Sequence, residues 1–131
     1  MVSGRLTLST NKTSFTEGEE IKILVSGSDL KQVNALSLAL PYDATLVRYV
    51  GMRLIGMKDL VNLSYDRLHS DGSKEFLPTF VNRGNNFLLE DGELFEITFR
   101  ALKAGNWTPK AVDGMLVDRN LNSIDALSDA E

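Results

Sequence analysis

The amino-acid sequence predicts an all-β fold, an antiparallel β-sandwich. Three observations carry this. Apolar residues recur at period two in one short segment after another, glycine-centred turn pairs separate those segments, and no long stretch keeps the 3.6-residue spacing of an amphipathic helix. About nine such segments at roughly ten-residue spacing are what two layers burying alternate side chains require.

In chain order, Arg5-Leu6-Thr7-Leu8-Ser9 alternates polar and apolar, and Glu20 to Ser26 sets Ile21, Ile23 and Val25 on one side. Val33 to Leu40 directs Leu36, Leu38 and Leu40 one way and Ala35, Ser37 and Ala39 the other. Pro41-Tyr42-Asp43-Ala44 is a turn before a strand at Leu46 to Val50. Met52 to Leu60 has partly helical spacing but is short and interrupted by Gly56, so it reads as loop or a single turn. Asn62 to Asp66 alternates again. Glu75 to Val81 is a further strand in which Pro78 lacks a ladder donor and implies an edge or bulge. Leu94 to Ala101 places Phe95, Ile97 and Phe99 on one face and Glu96, Thr98 and Arg100 on the other. Short runs at Trp107 to Val112 and Met115 to Val117 close the series. Asp71-Gly72 and Asp91-Gly92 are hairpin signals, and Gly84-Asn85, Gly105-Asn106 and Asp113-Gly114 mark further turns.

Composition bounds the function. The 131 residues, 43% hydrophobic with a net charge of −4, suit one globular domain and leave no basic surplus for nucleic acid or an anionic membrane. No apolar run reaches the roughly 18 residues of a membrane span. Zero Cys excludes disulfides and thiol chemistry, and His69 as the single histidine excludes sites built on two imidazoles. The opening Met-Val-Ser-Gly carries no signal-peptide core, so the chain reads as cytosolic or as one module of a longer secreted protein.

At Leu40-Pro41-Tyr42-Asp43-Ala44-Thr45-Leu46-Val47-Arg48-Tyr49-Val50 the sequence resembles the cohesin family, the dockerin-binding modules of cellulosomes and related secreted assemblies. Phe15-Thr16-Glu17-Gly18-Glu19-Glu20-Ile21 is similar to the family's entry into its second strand. Leu89-Glu90-Asp91-Gly92-Glu93-Leu94-Phe95-Glu96-Ile97-Thr98-Phe99 resembles the Asp-Gly hairpin that opens its eighth strand, and Asp113-Gly114-Met115-Leu116-Val117-Asp118 is similar to its closing strand. Order and spacing agree over about residues 5 to 125.

The resemblance implies a nine-stranded jelly roll spanning residues 1–131 as a single module of a longer chain, extracellular or surface-bound, with no catalysis, cofactor or metal. It implies a dockerin-like protein partner that tethers a secreted carbohydrate-active enzyme. In cohesins that partner docks on a flat face built from the third, fifth, sixth and eighth strands. Carried over by position, the face would hold Ala35, Ser37 and Ala39, then Asn62, Ser64 and Asp66, then Thr79, and finally Glu96, Thr98 and Arg100. An Asn-x-Asp pair of the best-known members aligns here with Ala35-x-Ser37, and Pro78 also departs from the pattern. Small side chains facing outward on a strand independently suit close approach by another polypeptide. The alternatives are a carbohydrate-binding module, with weak sugar contact through Trp107, and a structural spacer of a glycoside hydrolase.

Other constellations read as structural. Glu17, Glu19 and Glu20, and Glu90, Asp91 and Glu93, fall in expected turns as solvated acids rather than convergent catalytic pairs. Asp118-x-Asn120-x-Asn122, with Asp129 twelve positions into the run, imitates a calcium loop. It lacks the turn glycine, the final Glu and flanking helices, so a polar hairpin with Ile124 on its return arm is expected. Trp107 is expected to pack in the core or cap the sandwich, and His69 beside Ser70-Asp71 to be solvated.

Overall fold

The structure is a computed structural model that describes residues 2–57, 60–68, 70, 73–82 and 89–127. The expected hairpin and turn residues Asp71-Gly72 and Gly84-Asn85, together with His69 and Asp129, lie outside the described residues.

Two antiparallel sheets face each other. The back sheet contains β1 (Ser3–Thr10), β3 (Glu20–Lys31), β5 (Val47–Leu54) and β10 (Gly92–Ala101), in the spatial order β1-β3-β10-β5. The front sheet is centred on β4 (Ala35–Tyr42). On one side lie β12 (Asp113–Val117) and then β13 (Ser123–Asp125). On the other lie β8 (Lys74–Leu77) with β7 (Tyr65–Leu68), and β9 (Thr79–Val81) with β6 (Val61–Asn62). A short ribbon of β2 (Ser14–Phe15) and β11 (Gly105–Asn106) stands apart. At one margin Leu6 donates its N–H to the Ala126 carbonyl at 2.7 Å, and a parallel bridge joins Leu6 to Leu127.

Period two builds the core. On β4 the even residues Leu36, Leu38, Leu40 and Tyr42 are buried, and Phe76 and Phe80 join them from neighbouring strands. The back sheet answers with Ile21, Ile23 and Val25 of β3 and Phe95, Ile97 and Phe99 of β10. Rings from the two sheets interlock. Phe80 meets Phe95 at 5.1 Å, Tyr42 meets Phe99 edge-on at 4.8 Å, and Tyr49 stacks on Phe76 at 4.2 Å. Each such ring removed from water contributes about 2–3 kcal/mol, which is why these positions and not the turns fix the layer order.

Several local expectations change: Pro41 and Tyr42, expected in a turn, end β4, and the expected turns Gly105-Asn106 and Asp113-Gly114 lie in β11 and β12. The strand expected at Leu46 to Val50 runs on to Leu54, because Met52 and Leu54 pair with Ile97 and Phe95 of β10 and turn towards the core. Asn62 to Asp66 is not one strand but two short ones, β6 and β7, on different partners. Trp107 to Val112 forms no ladder: Pro109 has no N–H, and Gly105–Asn106 pairs with Ser14–Phe15 instead. Pro78 does break its strand, into β8 and β9, yet its carbonyl still accepts the Leu38 N–H at 2.9 Å.

Candidate functional site

The odd residues of β4 point away from the core. Ala35 and Ser37 are half-buried and Ala39 is buried, with no side chain longer than a hydroxymethyl group on the central strand until Pro41. Residues directly opposite on an antiparallel ladder share a face. Ser37 therefore lies between Met115 of β12 and Thr79 of β9, and Ala35 between Val117 and Val81. Asp113 flanks Ala39, Asp125 flanks Met115, and Val61 flanks Val81. At the far margin Tyr65 faces Leu77 and Arg67 faces Glu75.

Apolar side chains stand exposed on and around this outward surface. Met115 is 38% exposed, Leu63 52%, Tyr65 53%, and Val112, next to Asp113, 63%. Arg67 donates to Glu75 at 2.5 Å, and Glu75 is only 6% exposed, so a buried carboxylate holds a half-exposed guanidinium at the rim.

The ten expected docking residues divide into three groups. Ala35, Ser37, Ala39 and Thr79 share the outward front face. Asn62, Ser64 and Asp66 sit along the β6–β7 margin, Asn62 and Asp66 exposed, with their polar groups bonded to neighbouring residues. Asn62 accepts the Ser64 N–H at 2.9 Å and reaches Met52 Sδ of the back sheet at 3.7 Å. Ser64 Oγ accepts the Thr79 N–H at 3.0 Å. Asp66 accepts the Tyr42 hydroxyl at 2.6 Å and pairs with Lys74 at 3.6 Å. Burial, with the Asp66 bond second, raises the Tyr42 phenol above its ordinary pKa. Asn62 and Asp66 are register partners of Phe80 and Phe76, so on these exposed edge strands it is Leu63 and Tyr65 that share the parity of the front face.

Glu96, Thr98 and Arg100 belong to a different surface altogether. Their strand, β10, is central in the back sheet, and they face outward on the opposite side of the sandwich from Ser37. A strand's alternation gives its two faces but not the sheet it joins, and the pairing of β10 with β3 and β5 is non-local. The strand flanking β4 in their place is β12, which supplies Met115 and Val117.

The remaining candidates find structural partners. Glu19 accepts the Thr16 N–H at 2.8 Å and pairs with Lys12 at 3.3 Å, and these contacts, the backbone bond first, lower its pKa. Asp91 accepts the N–H groups of Asp29 and Leu30, fixing the end of β3 where Asp29 and Gln32 hold φ of 54° and 56°. Asp118 accepts from the Asn120 and Asn122 N–H groups, both at 2.9 Å, and from Asn122 Nδ2 at 3.1 Å. Its carboxylate is thus held by the loop that joins β12 to β13, the polar hairpin expected, and lies below its ordinary pKa chiefly through the Asn122 backbone bond. Among the described residues no three His, Cys, Asp or Glu side chains gather as a metal set. Trp107 is half-buried and meets Phe99 at 5.1 Å with the ring planes at 78°, capping the core.

Known proteins agree with this geometry. The structure resembles the cohesin module of a family 33 glycoside hydrolase from Clostridium perfringens, at 13% identity and TM-score 0.69, over 97% of this chain and 92% of that one. It resembles the sixth cohesin of Acetivibrio cellulolyticus scaffoldin B, solved in complex with a Cel5 dockerin variant, at 15% identity and TM-score 0.63, over 95% and 94%. A non-cellulosomal cohesin from Archaeoglobus fulgidus matches at 16% identity and TM-score 0.60, over 95% and 85%. No curated protein matches the sequence. The description of the Cohesin domain fits the sequence from residue 6 to residue 128, nearly its whole length, and the chain belongs to the cohesin family.

Proposed function

We propose that the protein is a non-catalytic docking module that binds a dockerin-like partner on the outward face of the front sheet. It is read as extracellular, as one module of a longer secreted chain, holding a carbohydrate-active enzyme to its assembly. The observation that carries this is the bare centre of that face. Ala35, Ser37 and Ala39 sit on a strand hydrogen-bonded on both sides, bordered by Met115, Val117, Thr79 and Val81. A β-sheet held on both edges loses little freedom on binding, and small central side chains let a partner helix approach the backbone closely. The cohesins it resembles include one solved with a dockerin bound. The carbohydrate-binding alternative has less support, since Trp107 is half-buried and packs against Phe99 of the core.

The test is interferometry or calorimetry of the purified domain against purified dockerin modules, with Ser37→Arg as the face-blocking variant and Thr98→Arg as the back-face control. The expected result is micromolar or tighter binding to at least one dockerin, lost in Ser37→Arg and kept in Thr98→Arg, with both variants melting like the parent. Failure to bind any dockerin, or retained binding in Ser37→Arg, overturns the reading.

A further inference from the structure

The outward front face carries charge on the two sides of its central strand, and the two sides differ. Along β12 and β13 stand Asp113 and Asp125, either side of Met115, and neither forms an ion pair among the described residues. Among the described residues the Asp125 carboxylate accepts the nearby Leu127 N–H, at 3.1 Å. Along β7 stands Arg67, its guanidinium half-exposed and fixed by the buried Glu75 carboxylate. Between them Ala35, Ser37, Ala39, Thr79 and Val81 carry no ionisable group, and Glu75 of β8 is buried and paired with Arg67.

We infer that this face reads the charge polarity of its partner. It accepts a helix with an apolar contact stripe, lysine or arginine on the flank over β12 and β13, and a carboxylate or terminal carbonyl on the flank over β7. The inference deepens, and rests on, the docking reading above. Width supports a helix as occupant: three strand spacings from β12 to β7 make roughly 14 Å, and a helix with its side chains is about 10–12 Å across. A helix laid over β4 and β8 thus covers the small residues of β4 and the Glu75 carboxylate already paired with Arg67, and its flanking side chains reach both sides. The two uncompensated carboxylates favour cationic flanks and repel acidic ones, so the same helix turned end for end, or one with reversed flanks, is disfavoured. Arg67 contributes differently. Glu75 fixes its orientation in advance, and the guanidinium still has further N–H donors for an acceptor on the partner.

The probe is the dockerin module that binds in the screen above, titrated against the intact domain at salt from about 0.05 to 0.5 M. The wild type is expected to weaken severalfold across that range. Asp113→Lys with Asp125→Lys is expected to weaken binding about tenfold or more at low salt and to flatten the salt dependence. Asp113→Asn with Asp125→Asn, which keeps side-chain shape, is expected to do the same in smaller measure, and Arg67→Gln to cost about threefold to tenfold. Glu93→Lys on the back sheet, with a comparable change of net charge per site, is expected to leave binding unchanged. Reversing the matching basic residue of the dockerin to Glu should recover binding to the Asp113→Lys, Asp125→Lys protein. If Ser37→Arg abolishes binding while the margin variants and salt do nothing, charge polarity is wrong and docking stands. If Ser37→Arg binds normally, docking itself fails and takes this inference with it.

Discussion

The two outward faces of the sandwich are built by the same alternation and could hardly differ more. On the back sheet Glu20 pairs with Arg100 at 3.3 Å and Arg53 with Glu96 at 3.6 Å, with Lys22 and Arg48 alongside. Long charged side chains fill that surface and keep water in contact with it. On the front sheet the equivalent positions hold Ala35, Ser37, Ala39 and Met115. A solvated sheet has no need of such a bare surface, whereas one that must be covered by another chain does. The inward halves of the strands are alike in both sheets, so the fold cannot distinguish the faces. The outward halves carry the distinction.

Ser37→Arg against Thr98→Arg tests that contrast most severely. The first is expected to weaken dockerin binding about 100-fold or more, as steric loss at an interface centre does, and the second to leave it unchanged, both read by interferometry. Equal effects would erase the difference between the faces. Within one front-sheet strand, Leu116→Ala is expected to cost about 2–5 kcal/mol of stability in urea unfolding as a core truncation, whereas its neighbour Met115→Ala should cost under about 1 kcal/mol and act on binding instead.

Asp118→Asn sharpens the picture at the hairpin that frames the front face. The folded-state pKa of Asp118 lies below its unfolded value, so the carboxylate contributes stability above pH about 4 that is lost as pH falls through the folded value. The variant is expected to melt below the wild type at pH 7, and the gap to close on acidification below pH 4. A calorimetric calcium titration of the wild type is expected to show no heat near the hairpin, since loop donors already occupy the carboxylate. The smallest effect belongs to the back face: Glu96→Ala and Arg100→Ala should each change stability by no more than about 0.5 kcal/mol, as exposed pairs do.

Much of this was legible in the residues. Alternation placed Leu36, Leu38 and Leu40 inside and Ala35, Ser37 and Ala39 outside, and Pro78 announced its break. What local pattern could not supply was non-local pairing. Glu96, Thr98 and Arg100 alternate cleanly on β10, but only its contacts with β3 and β5 put them on the back sheet. Asp66 and Asn62 misled for another reason. Both are exposed on edge strands but share the parity of Phe80 and Phe76, so Leu63 and Tyr65 take the front face while Asp66 bonds to Tyr42. Met115 was hidden within a short apolar run, although its neighbours Gly114 and Leu116 are the buried ones. The signal for the site was present as apolar residues at outward parity, which becomes informative once the strands are paired.

Strand β12 also constrains how such a module changes over generations. A methyl group added at Gly114 would lie 2.7 Å from a Leu127 carbon and 3.0 Å from one of Leu38, and Leu116 is wholly enclosed. Selection can therefore alter Asp113, Met115 and Val117 almost freely while holding the residues between them still. New partners become accessible through single outward substitutions, and a lineage can drift from one recognition code to another with its melting point intact.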